Sequence, residues 1–405
     1  MTMPHQAEHH CSGKTVAFFL IGMLFLSWGG TLAWSLPPRF EDSFGDGSDG
    51  DLEVAEGETV VMNPVATYVI DENPAGQRTL QVADVTGFAV GDEVLIISMI
   101  DTTTEDELLN DAGRYETQRI AQLDASSMTF IDPLNQTFTS SSPSVCIHQV
   151  IRIPNWRNVV VNGTMTTNAW DGAVGGVLCF RATGTVRLGA NSIITMSHRG
   201  YRGSMGGQGS SNGYVGESYC LFCNSVMSST PIGSGGGGGI YVSRDNFGQG
   251  GSGGHANKGM PDPPGRPEAG EGGDPVGSED MARIYMGAGG GAGASWNSRA
   301  NNFAGDGGGI ILFTANTVKF EEGATVESIG ENGQNWDPPY RATCGGGAGG
   351  SIYIASNQFD GVEDTDFSVL GAFQGDPGYQ AGDGRMRLKS VIEILSTGPE
   401  WVLYE

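Results

Sequence analysis

Residues 175–200 read GGVLCFRATGTVRLGANSIITMSHRG, residues 308–333 read GGIILFTANTVKFEEGATVESIGENG, and residues 349–375 read GGSIYIASNQFDGVEDTDFSVLGAFQG. Each opens on a glycine pair and runs into an apolar stretch that ends at a small residue: Ala182, Ala315 or Ser356. Two further short apolar stretches follow, and then another glycine. A unit of about 25 residues with three short strands has the size of one coil of a parallel β-helix, which cannot bury its apolar face alone. Stacking of coils supplies the core. Leu178, Ile311 and Ile352 fall at equivalent positions, as do Phe180, Phe313 and Ile354. Two apart in one strand, both sets point inward. The intervening Cys179, Leu312 and Tyr353 are apolar too, which predicts a cover on the outer face of this sheet. Residues 150–172 (VIRIPNWRNVVVNGTMTTNAWDG) fit the same frame without the leading glycine pair.

The 66 glycines among 405 residues are roughly twice the usual share of ~7%. They hold no sustained every-third-residue period, which excludes collagen. They gather in excursions between the repeats, at 203–216, 233–254, 265–277, 287–293 and 345–350. Residues 259–277 (GMPDPPGRPEAGEGGDPVG) read as a flexible loop. Residues 287–293 and 345–350 hold only Gly and Ala between apolar strands, and chains without Cβ atoms can pack closely in polyproline-II form. The expectation is ordered polyglycine strands that clad the solenoid.

Ahead of the repeats, residues 64–147 have ordinary glycine content and alternating strands such as Thr79–Val82 and Arg119–Leu123, with turn residues between them. They predict a small antiparallel β-domain or barrel with one long acidic loop at 102–110. Residues 52–63 alternate as a half-buried strand does, and residues 40–51 (FEDSFGDGSDGD) read as a polar linker. At the N-terminus Lys14 precedes the apolar run TVAFFLIGMLFLSW at 15–28. Small residues at Thr31 and Ala33 suit signal-peptidase cleavage after Ala33. The rival reading is an uncleaved anchor, since apolarity persists to Leu36. Four parts result: 1–36, a signal peptide or membrane anchor; 37–51, an acidic linker; 52–147, a small β-domain; and 148–405, the glycine-rich solenoid. The fold class is all-β. Export to the cell surface or the medium follows in either reading of the N-terminus.

The order FGDGSDGDL, VTGFAVGDEVLII, TFIDPL, VIRIPNWRNVVVNGTMTTNAWDG and GGVLCFRATGTVRLG, spanning nearly the whole mature chain, resembles a family of exported bacterial glycine-rich repeat proteins. That resemblance implies a surface or secreted protein and brings no catalytic residues with it. The glycine-rich part is also similar in texture to the tips of phage adhesins and to the glycine-rich ectodomain of certain receptor kinases.

The net charge of −25 excludes nucleic acid and anionic lipid as partners, because both need basic patches. Export permits disulfides, and Cys220-x-x-Cys223, Cys179 and Cys344 are the candidates, with Cys146 the remaining cysteine of the mature chain. Asp46, Asp49 and Asp51 crowd a glycine-bearing stretch and are candidate Ca²⁺ ligands, outside the EF-hand register. Asp360, Glu363, Asp364 and Asp366 form a weaker acidic group. No other cofactor is indicated. Two G-x-S-x-G matches, at 209–213 and 250–254, lack the strand and helix that a hydrolase elbow requires. The outward positions of the repeats (Arg181, Thr314 and Ala355; Arg187 and Lys319) make no carboxylate column of the kind an acid–base site needs. Tyr214, Tyr219, Trp296, Trp336 and Tyr340 on the excursions are candidate contacts for an extracellular glycan or protein. The leading expectation is a non-enzymatic structural or adhesion protein. The alternatives are a carbohydrate-active β-helix enzyme, either lyase or hydrolase, and a membrane-anchored surface assembly subunit.

Overall fold

In the computed structural model the apolar columns inferred from the repeats line the inside of a stack of parallel coils. The structure describes residues 39–390 except 141–144, 207–210, 244–245, 262–266, 296–302, 335–342 and 373–379. The N-terminal apolar run lies outside the described residues. After a single 3-10 turn at Phe40–Asp42, strands β1 (Leu52–Val54) and β2 (Thr59–Met62) form the first coil. Eight strands then follow: β3 (Ala66–Tyr68), β4 (Asp71–Asn73), β5 (Thr79–Gln81), β6 (Glu93–Asp101), β7 (Tyr115–Asp124), β8 (Ser127–Phe130), β9 (Phe138–Ser140) and β10 (Cys146–Ile153). The coils resume with β11 (Asn155–Trp156), β12 (Val159–Val161), β13 (Thr164–Thr167), β14 (Val177–Leu188) and β15 (Ile193–Thr195). A small hairpin, β16 (Tyr241–Ser243) and β17 (Asn246–Phe247), interrupts them. They end with β18 (Ile310–Phe320), β19 (Thr325–Glu327), β20 (Ser351–Asp360), β21 (Phe367–Ser368) and β22 (Arg385–Ser390).

Two parallel sheets make the solenoid, one ordered β1-β12-β14-β18-β20-β22 with β11 also on β14, the other β2-β13-β15-β19-β21. The pairings align Leu178 with Ile311 and Ile352, and Phe180 with Phe313 and Ile354, as the repeats predict. These side chains are buried between the sheets with Met165, Ile194 and Val326. Phe180 and Phe313 stack with centroids 4.6 Å apart and planes 9° from parallel. Burying each such side chain contributes about 1.5–3 kcal/mol, so four or five stacked rows make this the stable spine.

The outer face of the larger sheet is covered, but not by glycine. Strands β3-β10-β6-β7-β8-β5 form an antiparallel sheet laid over it. All nine residues of β6 are buried because that strand is covered on both sides. Leu95, Ile97 and Met99 meet Cys179, Leu312 and Tyr353 of the solenoid, while Val94 and Ile96 face the inserted domain's own core of Leu80, Val82 and Phe130. The domain boundary therefore falls at Asn63 rather than at 52, since β1 and β2 pair with solenoid strands.

Residues 40–51 are not a solvated linker. They run as a strap across the register row Asn155, Arg181, Thr314, Ala355 and Lys389, one residue from each successive strand. Phe40 is 3% exposed, with the Arg181 guanidinium 4.2 Å from its ring centroid. Arg181 donates to the carbonyls of Phe40 and Ser43, both at 2.6 Å, and is ion-paired with Glu93 at 2.9 Å.

The glycine tracts continue the coils sideways. They form a lattice of extended segments that are neither helix nor sheet, and their backbone bonds repeat every third residue. Gly250 and Gly253 donate to Thr343 and Gly346, while Gly251 and Gly254 donate to Gly237 and Ser234. Gly236 and Gly239 donate to Gly289 and Ala292, and Gly305 and Gly308 to Gly345 and Ala348. A period of three, with successive residues bonding different neighbours, is the signature of packed polyproline-II strands. Only glycine permits it: a Cβ on Gly291 would sit 2.5 Å from the Gly236 carbonyl oxygen and closer still to that of Gly237. The expected loop at 259–277 is partly in the same lattice, because Gly270 and Gly273 donate to Gln249 and Ser252.

Candidate functional site at the outer edge of the glycine lattice

At one edge of the lattice, described residues of separate strands bond to one another. Met205 bridges Phe303, and Ser211 bridges Ser295. Tyr241 N–H donates to Asn212 Oδ1 at 2.9 Å, Gln334 N–H to Phe303 O, and Met260 N–H to Gln380 O. Thr343 Oγ1 donates to Gln249 Oε1 at 2.7 Å. Described residues of several separate lattice strands are thus bonded to one another here. Met205 (48%), Phe303 (43%) and Val242 (57%) are exposed there. Apolar groups held out by a glycine framework, with Asn, Gln, Ser and Thr between them, give an edge of mixed character suited to contact with a polar surface.

Of the aromatic contacts predicted from the sequence, Tyr214 is half-buried beside this edge. Tyr219 is 5% exposed, packed edge-on against Tyr285 with its hydroxyl donating to Glu105 O at 2.8 Å. It is a core residue and not a contact. Trp296, Trp336 and Tyr340 lie outside the described residues.

The expected Ca²⁺ cluster is dispersed. Asp46 pairs with Arg119 at 2.9 Å, Asp49 with Arg152 at 2.6 Å and Asp51 with Arg157 at 3.0 Å, so each carboxylate already has a cation. No three or more His, Cys, Asp or Glu side chains are arranged to hold a metal ion among the described residues. Asp366 is spent on the Glu363 N–H and Asp360 on Gln358.

Of the disulfide candidates, Cys179, Cys220 and Cys223 are free thiols. Cys220 Sγ lies beside Ser218 Oγ, and Cys223 Sγ faces Gly203 O, so the two turn to different neighbours. Cys179 is under the inserted sheet with Asn63, and Cys344 sits in the lattice at Gly293. Burial pushes the Cys220 thiol up to about 11 and that of Cys344 up to about 12, which leaves both inert as nucleophiles. Both G-x-S-x-G serines are lattice residues, and Ser252 is wholly buried.

Sequence reasoning missed one titratable group of three carboxylates at the root of the lattice. Glu217 is fully buried and accepts from Trp170 Nε1 at 3.1 Å and from Arg202 Nη2 at 2.7 Å. Asp306 accepts from Gly203 N–H at 2.7 Å, and its own N–H donates to Glu331 at 3.3 Å. Burial pushes the Asp306 carboxyl up to about 6; the Gly203 N–H opposes this, and Glu331 and Glu217 add to it. The three lie on lattice strands far apart in sequence, so no motif marks them.

No family model matches the chain, and no curated protein matches it. Among solved structures it is similar to the Gp54 tailspike of Acinetobacter baumannii bacteriophage AP22, in complex with A. baumannii capsular saccharide, at 8% identity and a TM-score of 0.20. It is also similar to the tailspike protein gp49 of Pseudomonas phage LKA1, at 11% identity and a TM-score of 0.19. These comparisons cover 77% and 79% of this chain but only 51% and 49% of the tailspikes, so the chain spans about half their length. Scores this low do not place the chain in their fold; the parallel solenoid is established by its own strand pairings.

Proposed function

We propose that this protein works outside the cytoplasm as a non-enzymatic structural or adhesive element, and that the lattice edge is its contact surface for an extracellular glycan or protein. The observation that carries this reading is the bonding of separate lattice strands at an edge that exposes Met205, Val242 and Phe303. A framework bonded through its backbone on several sides is stiff, and a stiff support lowers the ordering cost of binding. The apolar N-terminal run supports export, and membership of the exported glycine-rich repeat family is part of the proposal. Among the described residues no helix is long and apolar enough to cross a membrane.

The test is binding of the full chain to a glycan array and to intact bacterial cells, alongside a variant carrying Met205→Ser, Val242→Ser and Phe303→Ser. Binding should fall at least about tenfold in the variant, a loss of about 1.4 kcal/mol, with thermal unfolding unchanged. Equal binding by both proteins would remove the edge from the account. A second reading, a carbohydrate-active enzyme, is favoured by the raised carboxyl of Asp306 beside Glu331. Release of reducing sugar that stops with Asp306→Asn would establish it in place of the first.

A further inference from the structure

The inner columns of the solenoid lose their cover at its last described coil. Val318, Val326, Ile352 and Ile354 are wholly buried. One strand further on, the residues in register with them, Phe359, Phe367, Met386 and Leu388, are only half-buried. Val362 and Val369 lie beside them against the same core. Among the described residues no strand pairs with the far side of β21 or with the outer edge of β22. A half-covered apolar face bordered by an open sheet edge is a template for a further length of chain.

The chain reaches this face at Ser390, where β22 ends, and residues 391–405 (VIEILSTGPEWVLYE) follow directly. Spacing inside the coils tells what that stretch carries. Leu52, Val186, Val318 and Phe359 share one register row of the larger sheet, and Val60, Ile194, Val326 and Phe367 share one row of the smaller. In each of these four coils the second residue follows the first by eight positions, with a glycine in between: Gly57, Gly189, Gly323 or Gly361. Ile394 and Val402 repeat the interval of eight, with Gly398 between them. Ser390 is aligned with Ala182 through Ala315 and Ser356, and Ile394 stands four residues past Ser390 as Val186 stands four past Ala182. We propose that the open face is a docking surface for residues 391–405 of the same molecule, which complete the coil that β22 begins. Ile394 covers Phe359, and Val402 covers Phe367. Because the segment continues straight from β22, its own molecule supplies it at a high effective concentration. Docking closes the open edge, and with it a route by which solenoids could pair end to end. The lattice edge takes no part, so this docking and the contact surface proposed above stand or fall separately.

Cysteine pairs in the full chain test the register. Phe359→Cys with Ile394→Cys, and Phe367→Cys with Val402→Cys, should each cross-link within one molecule on mild oxidation, read by peptide mass spectrometry. The crossed pair, Phe359→Cys with Val402→Cys, should link at least about tenfold less, because paired strands lie about 4.8 Å apart and facing sheets about 10 Å. Equal yields from matched and crossed pairs would overturn the proposal. So would a cross-link between two molecules, which would put a second copy on the face. Amide exchange of the unsubstituted chain covers the case of a variant that does not fold. Ile394 and Val402 should exchange at least about a hundredfold more slowly than in a free peptide of residues 391–405, and Ile394→Asp should release both together. Free-peptide rates at both positions in the unsubstituted chain would equally overturn it.

Discussion

Replacing Gly291 by alanine probes the lattice where it is most tightly bonded. Gly291 N–H donates to Gly251 O at 2.8 Å, and its carbonyl accepts from Gly345 N–H at 2.8 Å. The new methyl carbon would lie 2.5 Å from the oxygen of Gly236 and nearer still to that of Gly237, where a C–O contact normally needs about 3.3 Å or more. Segment 234–240 would have to move away, yet it is tied to the same tract by Gly236 N–H to Gly289 O and Gly239 N–H to Ala292 O. Overpacking costs about 1–3 kcal/mol, and weakening those two bonds adds about 1 kcal/mol each. The reduced freedom of the unfolded chain offsets about 0.4–1 kcal/mol. The net loss is about 3 kcal/mol, roughly a hundredfold in the folding equilibrium. Ala292→Gly, one residue along, is the control. Ala292 fills a small apolar gap with Ala304 and Cys344, and its removal costs about 1–2 kcal/mol in lost methyl burial and added chain entropy. Urea unfolding followed by circular dichroism, with amide exchange across 234–240, measures both. A Gly291→Ala midpoint equal to that of the unsubstituted chain, or above that of Ala292→Gly, would refute the close-packed lattice.

The remaining predictions concern charge and sulfur. Asp306 has its carboxyl pushed to about 6 by burial, so ionising it opposes folding; that opposition grows as pH rises from about 4 through 6. Asp306→Asn should therefore stabilise the protein by about 3 kcal/mol at pH 8 and change it little at pH 4, read from urea midpoints at both. His255 behaves in the opposite sense. It is fully buried, its Nδ1–H donates to Gly349 O at 2.7 Å, and burial lowers it to about 4, with Arg385 adding to the effect. The unfolded chain takes up that proton near pH 6.5, so stability falls by about 3 kcal/mol from pH 6.5 to 4 and then levels. His255→Asn should flatten that slope in an acid titration. Arg181→Ala strips Glu93 of its buried cation, the Phe40 carbonyl of its donor and the Ser43 carbonyl of one of its two donors; it should cost about 3–5 kcal/mol and speed amide exchange at Asp46 and Asp49. Because Cys146, Cys179, Cys220 and Cys223 are free thiols, adding a reductant should leave the urea midpoint where it was.

Much of the solenoid was legible because its constraint is local. Leu178 and Phe180, two apart and repeated behind a glycine pair, could only be one inward face. The apolar residues between them announced a cover without naming it. Val94–Ile97 carried that signal in its unbroken apolar run, since a strand buried on both faces does not alternate, but nothing in the run says which sheet it meets. The acidic stretch failed for a different reason. Asp46 and Asp49 look like a cluster only while their partners, Arg119 and Arg152, are seventy or more residues away in the chain. The cysteines likewise had plausible spacing and incompatible surroundings. Tyr219 looked exposed because it follows the glycine-rich stretch 203–216, whereas contacts with Tyr285 and Glu105 turn it inward. The lattice edge was the least visible part. Its strands are recognised by a hydrogen-bond period, and a tract almost without side chains writes no such period into its composition.

The threefold bonding of the lattice also governs which changes in length the chain tolerates. Shifting a strand by three residues returns every N–H to an equivalent carbonyl, whereas a shift of one or two leaves each donor facing the wrong neighbour. The glycines cannot fix the register themselves, being alike; it is keyed by the few residues that differ, among them the Ala292, Ala304 and Cys344 seam and His255 against Gly349. Insertions and deletions between these keys should accordingly come in multiples of three, so that the backbone imposes a reading frame of its own on the protein.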